Sequence, residues 1–500
     1  MSATLVLVSA TVLSKLLGFL RELLVANYFG ASAAVDAFTV GLSLATLLGG
    51  IGFALSTAFI PVYRARLAQH GREAAGEFAG TAVLLTLLAA ALCMVLLILG
   101  SPALVRWAAP GLSPETSRLA IRVTRWLGIF LVSSNMIYII SAIYNALEHF
   151  RIPAFTDLLT HVWVLVALVT LSSEFGVMAL AAGMVGGSVF VAVFMSVPII
   201  VRHLIKRPGR AWMADVRVLI AFAAPLWLIE VVSQSAGVVE NFFAAGLGAG
   251  SVAALGFAKR LMTVTTSLLA VNIARAVFPV LSRLSSEGDI AGFREVISKL
   301  LRQYVIVFIP LGLALVAFRQ ELITLVFVRG AFDATAANTT AAAFAYYAGA
   351  LLLPASMPLF LRACYAVSDT VGPLIGMVAM LGVMVILNMI LAPRMGVAGI
   401  ALANCLALLP NLALLSLRLR QRMGGLGLVQ LAKTAGVTAG CAMIAYISVV
   451  LLEGTPLLRA DGVARLAVGF PLFAAVYLVA GMLVMPDELQ RLWRQIRRPT

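Results

Sequence analysis

Two stretches of the sequence match each other: NALEHFRIPAF at 145–155 and YAVSDTVGPLI at 365–375. In each stretch an alanine is followed seven residues later by a proline, Pro153 in the first and Pro373 in the second. Long apolar runs flank both stretches. The match therefore indicates that one apolar helical unit occurs twice along the chain.

Other parts of the chain repeat the same relation. Two further matches keep nearly the same separation along the sequence: Gly176-Val177 with Gly396-Val397, and the interval Gly30 to Pro61 with the interval Gly248 to Pro279. A duplicated membrane bundle is the architecture of transporters that hold a central site between their halves. The repeat thus narrows the question of function to the cargo that is carried.

The composition places the chain in a membrane. Hydrophobic residues make up 62% and charged residues 11% of the 500 residues, and the mean hydropathy is +1.05, whereas soluble domains are about 25% charged. Because a spanning helix needs about 20 mainly apolar residues, the sequence predicts an all-α polytopic protein with fourteen spanning segments. These lie at 4–28, 36–62, 78–100, 120–145, 153–172, 177–201, 217–243, 252–280, 300–318, 339–365, 371–391, 397–417, 431–452 and 464–485.

Lysine and arginine are distributed unevenly among the loops. If the N-terminus is cytoplasmic, the loops rich in cations all face the cytoplasm: Arg64/Arg66/Arg72, Arg202/Lys206/Arg207/Arg210, Arg283/Arg294/Lys299/Arg302, Arg418/Arg420/Arg422 and Arg491/Arg494/Arg497/Arg498. The opposite loops carry few cations: Arg106, Arg118, Arg319, Arg329, Arg394, Arg459 and Arg465. This positive-inside pattern predicts that both termini are cytoplasmic. It also accounts for the net charge of +15 without a nucleic acid partner, since no basic-aromatic binding module is present.

Several other classes of function lack the residues that they need. The first segment carries Lys15, Arg21 and Glu22 and has no signal-peptide cleavage pattern, so we do not expect its removal. The four cysteines lie singly in apolar runs and the four histidines are scattered, so neither a metal site nor a bound cofactor is expected. Without a Walker A motif or a nucleophile–base constellation, the sequence favours a transporter over an enzyme.

The basic stretch at 202–216 is the natural linker between the two copies. It divides an N-terminal six-helix lobe, 1–201, from a C-terminal six-helix lobe, 217–418. Six helices per lobe is an even number, so both copies enter the membrane in the same orientation and form parallel repeats. The remainder, 419–500, is predicted to hold an appended pair of spanning helices and a basic tail.

Prolines inside spanning segments kink helices, because they remove a backbone hydrogen bond. Pro354 and Pro358 stand one helical turn apart in the tenth segment. They either serve packing shape alone or form a hinge for alternating access, and they are the best hinge candidates.

The first spanning segment carries charges where they are costly, about 2.5–3.5 kcal/mol each on insertion scales. Ser14, Gly18 and Arg21 lie on one helical stripe, with Lys15 and Glu22 on the adjacent stripe. Arg21 and Glu22 are consecutive, so their side chains are expected to diverge by about 100° and leave a cation for another partner. The alternatives are a buried network of ion pairs and a cavity, and Lys15 near mid-membrane favours the cavity.

Other charged residues extend this pattern. Asp36 opens the second segment, either as its N-terminal cap or as a carboxylate at the outer mouth of the cavity. The repeat places the eighth segment where the second stands in the first copy, so Arg260 is expected to face the same cavity as Arg21. Arg362 in the tenth segment suits either the cavity or the interface.

The acids near the interior are Asp157, Glu230 and Glu240. Glu240 suits either neutralisation of Arg260 or binding of a coupling cation or proton. Two or more arginines around one cavity suit a diphosphate, because the guanidinium fork offers two parallel hydrogen bonds and stays charged. A cation exporter would instead need an acidic cavity, so the balance of charge favours an anionic cargo.

Several motifs of the chain resemble the lipid II flippase family MurJ, also called MviN, of the multidrug/oligosaccharidyl-lipid/polysaccharide exporter superfamily. They are LSKLLGFLRELLVANYFGASAAVDAF at 13–38, AFIPVY at 58–63, GSVAALGFAKRL at 250–261, FPVLSRL at 278–284, VFVRGAFD at 326–333 and LRACYAVSDTVGP at 361–373. They occur in the family's order over nearly the whole chain. The resemblance implies fourteen spanning helices and a flippase, not an enzyme.

The resemblance also implies roles for single residues. The residues that match the family's substrate positions, and so are expected to bind the pyrophosphate of an undecaprenyl-linked sugar-peptide, are Ser14, Lys15, Arg21, Asp36 and Arg260. Lysine at position 15 keeps the charge of the more common arginine but loses its fork. A sodium site that some members hold between helices 7 and 11 has Glu240 and Asn388 as counterparts here, with Asp369 as a weaker one. Sodium or a proton is thus the expected coupling ion.

One segment departs from the family pattern. The family has an arginine pair followed by an acidic motif in the second helix, where this chain has Gly49 and Gly50 and no acid. The departure leaves open whether lipid II or another polyprenyl-diphosphate glycan, such as an exopolysaccharide or O-antigen precursor, is the cargo. A drug/cation antiporter and a non-transporting scaffold are the remaining alternatives. The expected setting is the bacterial inner membrane, with membrane lipids and cell-wall synthesis proteins as partners.

Overall fold

The computed structural model describes residues 3–425, 427–452 and 462–486, and within these ranges it is helical without β-strands. The first seven helices are α1 (Ala3–Phe29), α2 (Ala33–Ala108), α3 (Pro114–Ala146), α4 (Arg151–Ala154), α5 (Thr156–Phe175), α6 (Met178–Val201) and α7 (Trp212–Ala245). The others are α8 (Ser251–Ser286), α9 (Ile290–Ala317), α10 (Arg319–Phe327), α11 (Ala334–Gly349), α12 (Leu352–Ala366), α13 (Val371–Leu406), α14 (Leu408–Met423), α15 (Leu428–Leu452) and α16 (Val463–Val484). The predicted basic tail beyond residue 486 and Arg459 lie outside the described residues.

The helices account for the fourteen predicted segments. Within the described residues, ten helical stretches are long and apolar enough to cross a membrane, or eleven if α11 and α12 count as one bent span. Two of these stretches contain two segments each, because α2 breaks its helical geometry at Gly71 and α13 breaks at Gly396. With α1, which carries the charges described above, the total reaches the predicted fourteen. The predicted all-α polytopic fold is confirmed.

The described residues form two compact units. Unit 1 runs to Ala253 and includes Arg329–Phe332, and unit 2 comprises the remaining residues. The predicted lobe limits at 201 and 217 mark the sequence repeat, and they stay predictions.

Each unit has its own apolar core. In unit 1, α2 packs against α3 and α7, and the rings of Phe59 and Phe78 stack at 5.4 Å between centroids. In unit 2, α9 packs against α15, and the Tyr477 hydroxyl on α16 donates to the Ile306 carbonyl at 2.8 Å. The appended helix pair α15–α16 is therefore part of the core of unit 2.

The backbone itself repeats at Gly176 and Gly396. Gly176 has φ 55° and ψ −138°, and Gly396 has φ 61° and ψ −140°. This region of backbone space is open essentially to glycine alone, because a Cβ atom would clash there. The shared conformation at these matched positions supports the two six-helix repeats in three dimensions.

The stretch between α6 and α7 is docked on α2. The Lys206 N–H donates to the Gly76 carbonyl at 3.0 Å, and its ammonium pairs with Glu73 at 2.7 Å. The hydrogen bond and charge of Lys206 hold the pKa of Glu73 below its ordinary value. Asp215, in the first turn of α7, pairs with Arg66, whose guanidinium lies over the Phe78 ring. The linker is therefore an ordered part of unit 1.

The predicted hinge prolines lie next to a sharp break. α11 and α12 meet at an angle of 48° across residues 350–351. Pro354 follows this break as the third residue of α12, a position where proline is tolerated because the first N–H groups of a helix have no partner within it. Pro358 lies inside α12. The bend is present, and its role as a hinge stays a prediction.

Candidate functional site

Unit 1 places the charged stripe of α1 against α5. Ser14 and Glu22 are buried, Arg21 is half-buried and Lys15 is exposed. A Cβ atom on Gly18 would come 3.2 Å from Nε2 of His161 on α5. The small size of Gly18 thus lets an imidazole reach the face of α1 that carries the predicted substrate residues.

Arg21 does not diverge from Glu22 as the sequence suggested. Its Nε and Nη2 atoms both donate to Oε1 of Glu22, at 3.1 and 2.6 Å. The long arginine side chain spans the angular separation of two consecutive residues, so the pair forms on a single helix. Arg21 makes no hydrogen bond through Nη1 within the described residues, so that nitrogen remains available to an incoming anion.

Asp36 caps a helix, though not the helix that the sequence suggested. It is only 1% exposed, and its two carboxylate oxygens accept hydrogen bonds from the backbone N–H groups of Gly250 (2.6 Å) and Ala253 (2.7 Å). These residues open α8, whose first N–H groups have no partner within the helix. Asp36 therefore links the start of α2 to the start of α8, and a contact with substrate stays a prediction.

Two polar contacts join α2 to α7 inside unit 1. Asn241 Nδ2 donates to the Ser43 hydroxyl at 2.8 Å, next to Glu240, which is 8% exposed. Nearer the middle of α7, Glu230 lies directly against Gly50 of α2. The Gly-Gly departure from the family pattern is therefore the place where a carboxylate from α7 approaches α2.

Two arginines of unit 2 have distinct surroundings. Arg260 is half-buried near the start of α8. Arg362 on α12 lies over the ring of Phe278, with 5.6 Å between Cζ and the ring centroid. Phe278 follows Arg260 by eighteen residues on α8, about 27 Å along a helix. Arg260 is therefore part of the first half of α8, whereas Arg362 packs against the second half of that helix.

The predicted coupling-ion residues of unit 2 differ in their hydrogen bonding. Asn388 is fully buried, its Nδ2 donates to the Met384 carbonyl at 2.8 Å, and its Oδ1 has no hydrogen-bond partner among the described residues. Asp369 lies in the turn before α13, where Oδ1 accepts from Gly372 N–H at 2.9 Å. Asn388 thus has, inside a spanning helix, a buried oxygen that accepts no hydrogen bond from the described residues. Asp369 lies in a turn outside the spanning helices.

Sequence reasoning did not identify His161 or the Gly50–Glu230 contact. Both depend on which helix packs against α1 or α2, and periodicity within one helix does not reveal that. The sequence did offer one signal, a glycine inside each helix (Gly18 and Gly50), because glycine often marks a position where a neighbouring helix approaches closely.

Within the described residues, no group of three or more histidine, cysteine, aspartate or glutamate side chains could hold a metal ion. Unit 1 offers the cations of α1 and the carboxylates of α7, and unit 2 offers the cations of α8. Each set consists of groups that bind ions of opposite charge.

Comparison with known proteins gives a consistent result. A family model described as lipid II flippase MurJ matches residues 25–459. Lipid II flippase MurJ of Burkholderia cenocepacia is 29% identical over 95% of each chain, and a probable lipid II flippase MurJ of Synechocystis sp. is 25% identical over 98% of this chain and 96% of its own.

Solved structures show the same fold. A lipid II flippase MurJ in an inward closed conformation gives a TM-score of 0.81 at 20% identity, covering 97% of this chain and 100% of its own. An inward-facing MATE multidrug resistance transporter of the MOP superfamily gives 0.67 at 17% identity, covering 87% and 100%. At these identities the likeness concerns the fold.

Proposed function

The chain belongs to the lipid II flippase MurJ family, and from this membership we propose that it moves lipid II, the undecaprenyl-diphosphate-linked peptidoglycan precursor, from the inner to the outer membrane leaflet. The family match over residues 25–459 carries the proposal. A flippase is a transporter, so membership agrees with the prediction that the chain is not an enzyme.

The diphosphate is bound by cations. Arg21 keeps Nη1 free of hydrogen bonds within the described residues while Glu22 holds its other edge, so the guanidinium is oriented before the anion arrives. Ser14, Lys15 and Arg260 supply a hydroxyl and two further charges. A pre-oriented fork costs less conformational entropy on binding than a freely rotating cation.

Transport proceeds by alternating access. The two lobes rock, the headgroup enters from the cytoplasm and leaves outside, and the lipid tail stays in the bilayer. The break of 48° before Pro354 and Pro358 supports a hinge in α11–α12. A dianion that leaves a negative-inside cell gains about 2.3 kcal/mol per charge per 100 mV, so membrane potential can drive the cycle.

A coupling ion, sodium or a proton, assists the return step. The buried Oδ1 of Asn388, which no group of the described chain engages, and the buried carboxyl of Glu240 support this role. Asp369 has weaker support, because two arginines lie 3.9 Å from its carboxylate.

The setting is the bacterial cytoplasmic membrane, with the N-terminus and C-terminus inside. The uneven distribution of arginine and lysine among the loops supports this topology. Membrane lipids surround the protein, and the enzymes that make and polymerise lipid II are its expected neighbours in peptidoglycan synthesis.

The test uses cells whose own lipid II flippases are shut off and replaced by this chain. We expect the lipid II headgroup to become accessible to an enzyme added outside the cell. If the folded, membrane-inserted protein leaves the headgroup inaccessible, lipid II is not its cargo.

Arginine variants test the binding mode. Arg21→Ala and Arg260→Ala should each abolish transport while the protein still folds, because each removes a charge that binds the diphosphate. Arg283→Ala is the matched control on α8, since this exposed arginine pairs with Glu287 at 3.9 Å. Full activity of both Arg21→Ala and Arg260→Ala would refute a cationic diphosphate site.

A second candidate function is the transport of another polyprenyl-diphosphate glycan instead of lipid II. The Gly49-Gly50 departure favours it, because this chain lacks the arginine pair and the acidic motif that the family has in the second helix. The same cells, supplied with an exopolysaccharide or O-antigen precursor in place of lipid II, distinguish the two cargoes.

A further inference from the structure

Glu230 lies deep within a spanning helix. It is the nineteenth residue of α7, about 27 Å from the helix start. A glutamate at that depth cannot extend its short side chain to either interface. Ionisable residues at such positions are costly and commonly line a path for a charged ligand.

The side chain of Glu230 is fixed by two contacts. A Cβ atom on Gly50 would lie 2.6 Å from Cγ of Glu230, so glycine is required for the two helices to pack as they do. Gln234, one turn along α7, donates to Oε1 of Glu230 at 2.7 Å. The carboxylate is therefore held in one orientation against α2.

No protein cation neutralises Glu230 in the part of the chain that the structure describes. Across residues 3–425, 427–452 and 462–486, no lysine, arginine or histidine lies within 4.0 Å of its carboxylate, and Oε2 accepts no hydrogen bond. Glu230 and Asp157 both act electrostatically on the hydroxyl of Tyr138. Two carboxylates therefore influence one hydroxyl in this part of unit 1.

The surroundings suit an ammonium group better than a metal ion. No set of three histidine, cysteine, aspartate or glutamate side chains that could hold a metal ion occurs in the described residues, so the side-chain ligand sets of zinc and calcium sites are absent there. A primary ammonium needs only a few acceptors for its three N–H donors. Oε2 of Glu230, which accepts no hydrogen bond within the described residues, is an acceptor of this kind.

We propose that Glu230 is a specificity-determining residue that binds a primary ammonium group on the cargo headgroup. The proposal rests on the flippase function proposed above. It divides recognition into two parts, with cations binding the diphosphate and Glu230 selecting headgroups that carry a free amine.

The experiment compares two headgroups that differ in one amine. The probes are short-chain polyprenyl-diphosphate disaccharide-pentapeptides with either lysine or Nε-acetyl-lysine at the third peptide position, and they are titrated onto the full chain in lipid nanodiscs. The wild-type protein should bind the lysine form about tenfold more tightly, equivalent to about 1.4 kcal/mol. Glu230→Gln should bind both forms equally, at the weaker affinity.

A matched control and the wild type together keep the test decisive. Glu287→Gln removes an exposed carboxylate at the end of α8 and should retain the preference for lysine. Equal binding of both probes to the wild type would overturn the role of Glu230 and leave the flippase proposal intact. Retained preference in Glu230→Gln would also overturn it, whereas binding of neither probe would refute both proposals.

Discussion

The turn at 144–149 in unit 1 and the turn at 364–369 in unit 2 share a backbone but differ in their charges. The His149 N–H donates to the Tyr144 carbonyl at 2.9 Å, and the Asp369 N–H donates to the Cys364 carbonyl at the same distance. The residue before each donor has a positive φ, 64° at Glu148 and 57° at Ser368. The two turns therefore have the same backbone conformation and the same hydrogen bond at matched positions.

The side chains of the two turns have different surroundings. Glu148 is 74% exposed and lies 3.5 Å from Arg64. Asp369 is 2% exposed, caps Gly372 N–H, and lies 3.9 Å from both Arg418 and Arg422. The duplicated unit keeps its backbone in both copies because the chain reverses its direction there. The charges on it are free to diverge.

The largest expected effect is at the buried carboxylate. Asp369→Ala should lower the free energy of unfolding by about 1–3 kcal/mol, because it leaves the Gly372 N–H uncapped and two arginines without an acid. Thermal unfolding in detergent measures the change. Glu148→Ala is the matched control and should cost less than about 0.5 kcal/mol, since exposed pairs contribute little. Equal losses in the two variants would show that the buried and the exposed carboxyl contribute alike to stability.

A medium effect is expected at the glycines that share one conformation. Gly176→Ala and Gly396→Ala should each cost about 1 kcal/mol, because alanine is strained at these angles while the lower entropy of its unfolded chain offsets part of the strain. Among the described residues, no atom outside the immediate backbone lies within 4 Å of a Cβ at either position, so strain alone is tested. The same unfolding assay should give matching losses, and a loss at one position only would show that the repeat is not energetically equivalent.

The smallest effect is expected at the residues with positive φ. Glu148→Asn and Ser368→Asn should each raise stability by about 0.5 kcal/mol, because asparagine tolerates the left-handed region better than glutamate or serine. Midpoints of denaturant unfolding would resolve the sign. A clear loss in either variant would mean that its side chain makes a contact worth more than the backbone strain.

Much of the fold followed from the sequence. The fourteen segments, the repeat that pairs Gly176 with Gly396 and the break near Pro354 are all present in the structure, because each depends on local apolar length or on glycine and proline. The candidate site was predicted less completely. The Arg21–Glu22 pair, the helix capped by Asp36 and the packing of His161 against Gly18 depend on side-chain reach and on neighbouring helices.

Composition and spacing along the chain already show that it spans a membrane, that one unit occurs twice and that cations lie inside spanning helices. These properties are additive along the chain, so composition and spacing reveal them. Two features depend on the packing of helices instead: Asp36 caps the start of α8, and Glu230 contacts Gly50 with no cation of the described chain beside it. Such contacts join residues far apart in sequence, and their partners are set by how the helices pack.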